Sequence, residues 1–229
     1  MFRKLLRMAF TRDEKLAKLA ERHLRLEDLI AIKKRMIGTG LIGGKSAGML
    51  LARKILVNHD RSWAGRLEEH DSFFIGSDFF YNYLVENNCW SVLRKQRHPE
   101  TVLEGADEAR KKILSGRFPG DIVDQFREML DYFGQSPIIV RSSSLLEDNY
   151  GNAFSGKYES VFCANQGTPD QRLEDFVAAV RAIYASTMSR EALEYRIHWG
   201  LLDSDEQMAL LVQRVSGEIR GALDRKSVV

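Results

Sequence analysis

The sequence predicts an α+β fold, and two kinds of hydrophobic pattern support this prediction. Apolar residues recur at helical spacing in several segments, of which residues 121–133 and 168–184 are the clearest. Short apolar runs at residues 137–140 and 208–215 are instead typical of buried strands. Because these helices and strands follow one another without a steady β-α-β rhythm, the mixed α+β class is the expected one.

The N-terminal segment is expected to form a single helix. Thr11 and Glu14 have the spacing of a capping box, and the apolar residues after them fall roughly on one helical face up to about Arg35. A second helix is expected at residues 46–57, directly after a glycine-rich segment.

The remaining elements are marked by clear start and stop signals. Thr168 with Pro169 and Gln171 forms a strong helix start, and Gly134 closes the helix before it. The expected strands are residues 72–75, 137–140, 158–162 and 208–215, and the expected later helices are residues 121–133, 168–184 and 189–198.

Charge and cysteine content argue against several classes of function. The 34 basic and 32 acidic residues give a net charge of +2, so neither nucleic acid nor an acidic membrane is expected as a partner. Cys89 and Cys163 are far apart and form no CxxC pair, which predicts two buried thiols rather than a zinc site or a disulfide framework. Neither a signal peptide nor a membrane span is recognisable. We therefore expect a cytoplasmic protein.

A glycine-rich loop at residues 37–48 (IGTGLIGGKSAG) is the first candidate for chemistry. Glycines let the backbone approach an anion closely, and the N-terminus of the following helix presents free N–H groups. Lys45 sits where its ammonium could reach a phosphate. An ordinary turn is one alternative, and a P-loop NTPase is another. The P-loop pattern requires a glycine where Thr39 stands and a preceding strand, which the sequence does not predict.

The second candidate is the apolar run that ends at Arg141, followed by serines at 142–144. A strand ending at Val140 would deliver these polar groups to its C-terminal edge, where a guanidinium can clamp phosphate oxygens. In the alternative interpretation, Arg141 pairs with Glu147 or Asp148 and only holds the loop.

A third candidate lies at residues 154–160 (FSGKYES). Here Gly156 could donate its N–H to a phosphate and Ser160 its hydroxyl, although a simple β-turn explains the segment equally well. His198 has no ligand partner at a suitable spacing, so a structural role is favoured for it.

Taken in order, five segments resemble the ATP-binding domain of the pyruvate-phosphate dikinase and phosphoenolpyruvate synthase family. Residues 42–48 resemble its GGKxAxL motif, and residues 140–148 (VRSSSLLED) resemble its VRSSATAED motif. The other matches are residues 153–162 with ASFAGQQETFLNV, residues 183–200 with its helix pair containing YR, and residues 208–215 (MALLVQRV) with its AVxVQRMV strand. Rifampicin phosphotransferase and the glucan water dikinases share this domain, so the family is indicated more firmly than the substrate.

This resemblance implies an ATP-grasp-like fold that holds Mg-ATP between two lobes. In such proteins the β-phosphate of ATP passes to a histidine on a separate domain and then to pyruvate or another acceptor. Carried over by position, Lys45 would contact the phosphates and Arg141 would bind the polyphosphate. Gly156 and Ser160 would line the loop that covers the phosphates, and Gln213 would lie near the adenine.

The resemblance also has departures. Lys157 stands where the family usually has glutamine, which would add a positive charge beside the phosphates. We expect residues 1–36 to be an added helical extension, residues 37–221 a partial ATP-binding domain and residues 222–229 an unmatched tail.

Metal ligation is the largest departure. The family's metal-binding carboxylates follow the segment matched by residues 208–215, and no match for them is found here, so ATP and Mg²⁺ are implied but no metal ligand is assigned. Phosphoryl transfer depends mostly on positioned cations and metal ions, and we therefore expect this chain alone to be inactive. A non-catalytic, nucleotide-binding or regulatory relative of the same domain is the alternative.

Overall fold

A computed structural model describes residues 1–68, 70–144, 146, 156–204, 206–220 and 223–226, the last two strands by their backbone only. Helices pack against both faces of a five-stranded sheet, and a separate two-stranded ribbon follows. The expected α+β class is confirmed.

The strand that comes last in the sequence of this sheet lies at its middle. Its order is β1-β2-β5-β3-β4, in which β1 and β2 are parallel and all other neighbours are antiparallel. The strands are β1 (Met36–Ile37), β2 (Ser72–Ile75), β3 (Ile138–Ser144), β4 (Ser160–Cys163) and β5 (Met208–Arg214), and the ribbon consists of β6 (Gly217–Arg220) and β7 (Leu223–Lys226).

Helices make up most of the rest of the described chain. They are α1 (Phe2–Leu5), which continues into a π-helical turn (Leu6–Phe10), α2 (Glu14–His23), α3 (Leu26–Lys34), α4 (Gly44–His59), α5 (Ser77–Glu86), α6 (Trp90–Lys95), α7 (Ala106–Ser115), α8 (Gly120–Phe133), α9 (Pro169–Ser186) and α10 (Arg190–His198), with a short 3₁₀ turn at Arg61–Gly65.

The N-terminal segment differs from the single helix expected from the sequence. The chain breaks between α2 and α3, where Leu24 and Arg25 have extended backbones. Asp13 rather than Thr11 caps α2, and Asp28 accepts the backbone N–H of Arg25 at 2.8 Å as α3 begins. The break allows α2 and α3 to pack against α4 in one hydrophobic cluster.

Two strands also differ from the expectation. The strand expected to end at Val140 continues to Ser144, because residues 142–144 pair with Met208, Ala209 and Leu210 of β5. Ser142, Ser143 and Ser144 are fully buried, at 0% exposure. The short strand β1, which directly precedes the glycine-rich loop, was not expected at all.

Two hydrophobic cores lie on opposite faces of the sheet. Alternation along β5 turns Leu210 and Val212 toward the first core and Leu211 toward the second. The first core contains α5, α7, α8 and α9 and is rich in buried aromatic rings, including Phe80, Phe126, Phe133, Phe176, Tyr83 and Tyr184. The second joins α4 and the N-terminal helices to Phe74 and Leu211. This second face carries the candidate site.

Candidate functional site

The glycine-rich loop lies directly against the end of β3. Gly43 caps α4 with φ 81°, and a Cβ atom at this position would lie 1.5 Å from the carbonyl oxygen of Ser143. A Cβ on Gly76 would likewise lie 1.7 Å from the carbonyl oxygen of Thr39. Glycine is therefore required at both positions for the backbones to approach this closely.

Polar contacts hold the first half of the loop to the start of α5. The backbone N–H of Thr39 donates to Asp78 Oδ1 at 3.2 Å, and the Thr39 hydroxyl donates to the same carboxylate. The N–H of Leu41 donates to Ser77 Oγ at 3.1 Å. These contacts hold the loop between β1 and α4.

Serines join the loop to β3. Ser143 Oγ donates to the carbonyl oxygen of Ile42 at 2.9 Å and accepts the backbone N–H of Ser46 at 3.1 Å. Lys45 Nζ donates to Ser142 Oγ at 3.4 Å. The glycine-rich loop and the arginine-serine segment, which the sequence presented as two separate candidates, therefore lie side by side.

Arg141 lies within β3, opposite Leu211 of β5 and Ser160 of β4. Val140, Val161 and Val212 face or border the first core, so Arg141 and Ser160 project from the opposite face of the sheet. No described carboxylate forms an ion pair with Arg141. Glu147 and Asp148, its alternative partners, lie outside the described residues.

Gln213 projects from the same face as Arg141. The two are offset by two positions along the sheet, about 7 Å, because Arg141 pairs with Leu211. Gln213 Nε2 donates to Ser72 Oγ at 3.4 Å and to the sulfur of Met49, on α4, at 3.3 Å. Gln213 therefore lies beside the same helix whose first turn carries Lys45.

The third candidate segment forms a turn before β4. Gly156 is exposed with φ 77°, and Lys157 Nζ lies 5.7 Å from the ring centroid of Tyr195. Ser160 is exposed at the first position of β4, which begins two residues later than expected. Phe154 and Ser155 lie outside the described residues.

Three contributors to this arrangement were missed by sequence reasoning. They are Asp78, which holds the loop, Ser46, which bonds to β3, and Glu206, a buried carboxylate that accepts hydrogen bonds from Ser144 and Tyr158. Asp78 and Glu206 are isolated polar residues without a motif, and Ser46 stands at the variable position of the GGKxAxL match, so only their positions in the fold distinguish them.

The two cysteines lie apart from this chemistry. Both are buried and unpaired, as the sequence predicted. Burial raises the pKa of the Cys163 thiol to about 11 and also raises the pKa of Cys89. Both thiols are therefore protonated and unreactive near neutral pH.

A cleft adjoins the position of Gln213, because Ser72, which accepts the Gln213 amide, is one of its lining residues. It has a volume of about 440 Å³ and lies between α3, α4 and β2. Two of its lining cations have partners: Lys54 pairs with Asp28 at 2.6 Å, and Arg53 donates to the backbone carbonyl oxygen of Glu68. In the described part of the chain, no helix is long and apolar enough to cross a membrane.

Two comparisons with known proteins bear directly on the site. Residues 39–222 match the family described as pyruvate phosphate dikinase, AMP/ATP-binding domain. The chain belongs to this family. Phosphoenolpyruvate synthase from Deinococcus radiodurans is 24% identical over 188 residues, which cover 79% of this chain and 23% of that protein. The chain thus spans less than a quarter of the length of this relative.

Membership of the dikinase family confirms the resemblance seen in the sequence. The matched region contains Lys45, Arg141 and Gln213, and its family is defined by an AMP/ATP-binding domain. The dikinase interpretation is therefore favoured over the P-loop alternative.

Proposed function

We propose that this chain binds Mg-ATP as the ATP-binding portion of a phosphoenolpyruvate synthase-like dikinase, in an ATP-grasp-like arrangement. In this proposal the β-phosphate passes to a histidine on another domain and then to pyruvate or another acceptor. The observation that carries the proposal is the direct contact between the glycine-rich loop of Lys45 and the β3 segment of Arg141 in a chain of this family.

The phosphate end of the site would be built from two cations and a helix terminus. Lys45 lies in the first turn of α4, a 16-residue helix whose N-terminus attracts negative charge. Arg141 offers a planar guanidinium that matches two phosphate oxygens. Ser160 lies opposite Arg141 on β4, where its exposed hydroxyl offers a further donor.

The base end of the site would lie at Gln213. Its amide nitrogen donates to Ser72 and Met49, which leaves the amide oxygen as an acceptor for the exocyclic amine of adenine. The Met49 sulfur can only accept, which favours the amide nitrogen on that side. Lys45 and Gln213 both adjoin α4, so the nucleotide would lie along this helix.

Magnesium would arrive with the nucleotide. Among the described residues, no group of three or more histidine, cysteine, aspartate or glutamate side chains is placed to hold a metal ion. Magnesium commonly binds substrate phosphates together with one or two carboxylates and several waters. The roles proposed for Lys45 and Arg141 are to bind and orient phosphates.

Calorimetric titration of Mg-ATP into the chain tests this proposal. Lys45→Ala and Arg141→Ala should each weaken binding about tenfold or more, equivalent to about 1.4 kcal/mol, because each removes a cation from the phosphates.

The matched controls remove cations elsewhere. Lys54→Ala lies on the same helix, and Arg127→Ala lies on α8, where its side chain pairs with Asp170 at 2.8 Å. Both should bind ATP like the wild type. Absence of binding by a folded wild-type chain, or equal losses in the site variants and the controls, would contradict the proposal.

A further inference from the structure

Glu206 is an acidic residue buried in an unusual position. It lies two residues before β5, and only 2% of its surface is exposed. Its carboxylate accepts a hydrogen bond from Ser144 Oγ at 2.5 Å and another from the hydroxyl of Tyr158. Glutamate is rarely buried this completely unless strong partners compensate its desolvation, so the contacts indicate a specific role.

The two partners of Glu206 lie at the two ends of the connection between β3 and β4. Ser144 is the last residue of β3, and its hydroxyl also accepts the backbone N–H of Leu146 at 3.0 Å. Tyr158 precedes β4 by two residues and is itself buried. One carboxylate therefore joins the point where the chain leaves β3 to the point where it returns to β4.

The residues beside Tyr158 are held from other directions. The backbone N–H of Glu159 donates to Ser186 Oγ, at the end of α9, at 3.2 Å. Lys157 Nζ lies 5.7 Å from the ring of Tyr195 on α10. The segment that returns to β4 is thus anchored by α9, α10 and Glu206, and its exposed residues Gly156 and Ser160 flank the anchored part.

We propose that Glu206 is a positioning residue for the phosphate end of the candidate nucleotide site. Through Tyr158 and Ser144 it fixes the turn of Gly156 and Lys157 and the start of β4 relative to Arg141. This inference rests on the proposed function, because the positioned groups are those expected to meet the phosphates. Binding groups are effective when a surrounding shell of contacts holds them in place.

A carboxylate suits this role better than an amide of the same shape. Its two oxygens accept from both hydroxyls at once, whereas glutamine has a single acceptor oxygen and an NH₂ group that only donates. Glu206→Gln keeps the volume but makes both contacts neutral, and its NH₂ group forces one hydroxyl to accept rather than donate, so both contacts should weaken. Tyr158→Phe should remove the tyrosine contact altogether.

Trypsin cleavage after Lys157 measures the anchoring without any nucleotide. Cleavage of a folded protein follows the population of locally opened chain. Glu206→Gln and Tyr158→Phe should each speed this cleavage about fivefold, which is the effect expected from losing about one hydrogen bond. Cleavage after Lys18 in α2 is the internal reference. The matched control is Tyr184→Phe, because the buried Tyr184 hydroxyl has no hydrogen-bond partner among the described residues.

The second measurement is ATP affinity by calorimetry in the same variants. We expect Glu206→Gln and Tyr158→Phe each to weaken binding about fivefold, the double variant to be no weaker than either, and Tyr184→Phe to match the wild type. If Glu206→Gln does not fold, trypsin cleavage and ATP affinity are measured in Ser144→Ala and Tyr158→Phe instead.

The outcomes separate this inference from the proposed function. Unchanged cleavage after Lys157 in Glu206→Gln and Tyr158→Phe would overturn the anchoring role, whether or not ATP binds. Faster cleavage with unchanged ATP affinity would overturn the positioning role, because the segment would then not contact nucleotide. If trypsin cleaves the variants faster but the wild-type chain binds no ATP, the anchoring role of Glu206 would stand. Its positioning role and the proposed function would then both be rejected.

Discussion

At the scale of single residues, Gly43 determines how closely the loop approaches β3. Its φ of 81° and the 1.5 Å between an added Cβ and the Ser143 carbonyl oxygen both require glycine. Because Lys45 follows two residues later, this close approach brings its ammonium to Ser142 beside Arg141. The glycine thus contributes to the candidate site through backbone geometry alone.

Gly43→Ala should lower the free energy of unfolding by about 3 kcal/mol, since the new methyl group displaces β3 or the first turn of α4. Urea denaturation measures this change. Gly48→Ala is the control: Gly48 lies within α4 with open space around it, and alanine there should raise stability by about 0.5 kcal/mol. A Gly43→Ala variant as stable as wild type would show that the loop does not depend on this contact.

The sequence identified some site residues and missed others for a physical reason. Lys45 and Arg141 stand in short motifs whose residue types match phosphate chemistry, so both could be named in advance. Glu206 and Asp78 are single acidic residues at element boundaries, and their importance depends on partners up to 62 residues away. No local pattern encodes such pairings.

At the scale of elements, periodicity and capping signals predicted helices best. The Thr168–Gln171 capping box of α9 is present, with bonds of 2.9 and 3.3 Å in its two directions, and Gly134 ends α8 with φ 60°. The end of β3 was predicted wrongly because residues 142–144 are serines, which carry no apolar signal. Pairing with β5 extends the strand there, and this tertiary contact overrides local preference.

Ser143 is the element-scale test, because it joins β3 to both the loop and α4. Ser143→Ala should lower the free energy of unfolding by about 2 kcal/mol, since the buried Ile42 carbonyl and Ser46 N–H lose their hydrogen-bond partner. Urea denaturation measures this loss. Ser115→Ala on α7 is the control, because within the described chain the Ser115 hydroxyl bonds to carbonyls of its own helix. Equal stability of the two variants would mean that Ser143 does not join these elements.

At the scale of the whole molecule, chain order and sheet order differ. β5 is the last of the five strands in sequence, yet it lies between β2 and β3. The contacts from Lys45 and Ser46 to β3 each join residues 97 positions apart. Composition and periodicity do not predict such distant pairings. The expectation that these segments act together came from the ordered family motifs.

The most direct test of the central claim labels the lysine beside the ATP phosphates. An acyl-phosphate derivative of ATP transfers its acyl group to a nearby amine, and mass spectrometry identifies the modified residue. We predict that Lys45 is acylated first, that excess Mg-ATP blocks the labelling, and that Arg141→Ala reduces it about tenfold. Labelling that spares Lys45, or that excess ATP leaves unchanged, would contradict the placement of the phosphates between α4 and β3.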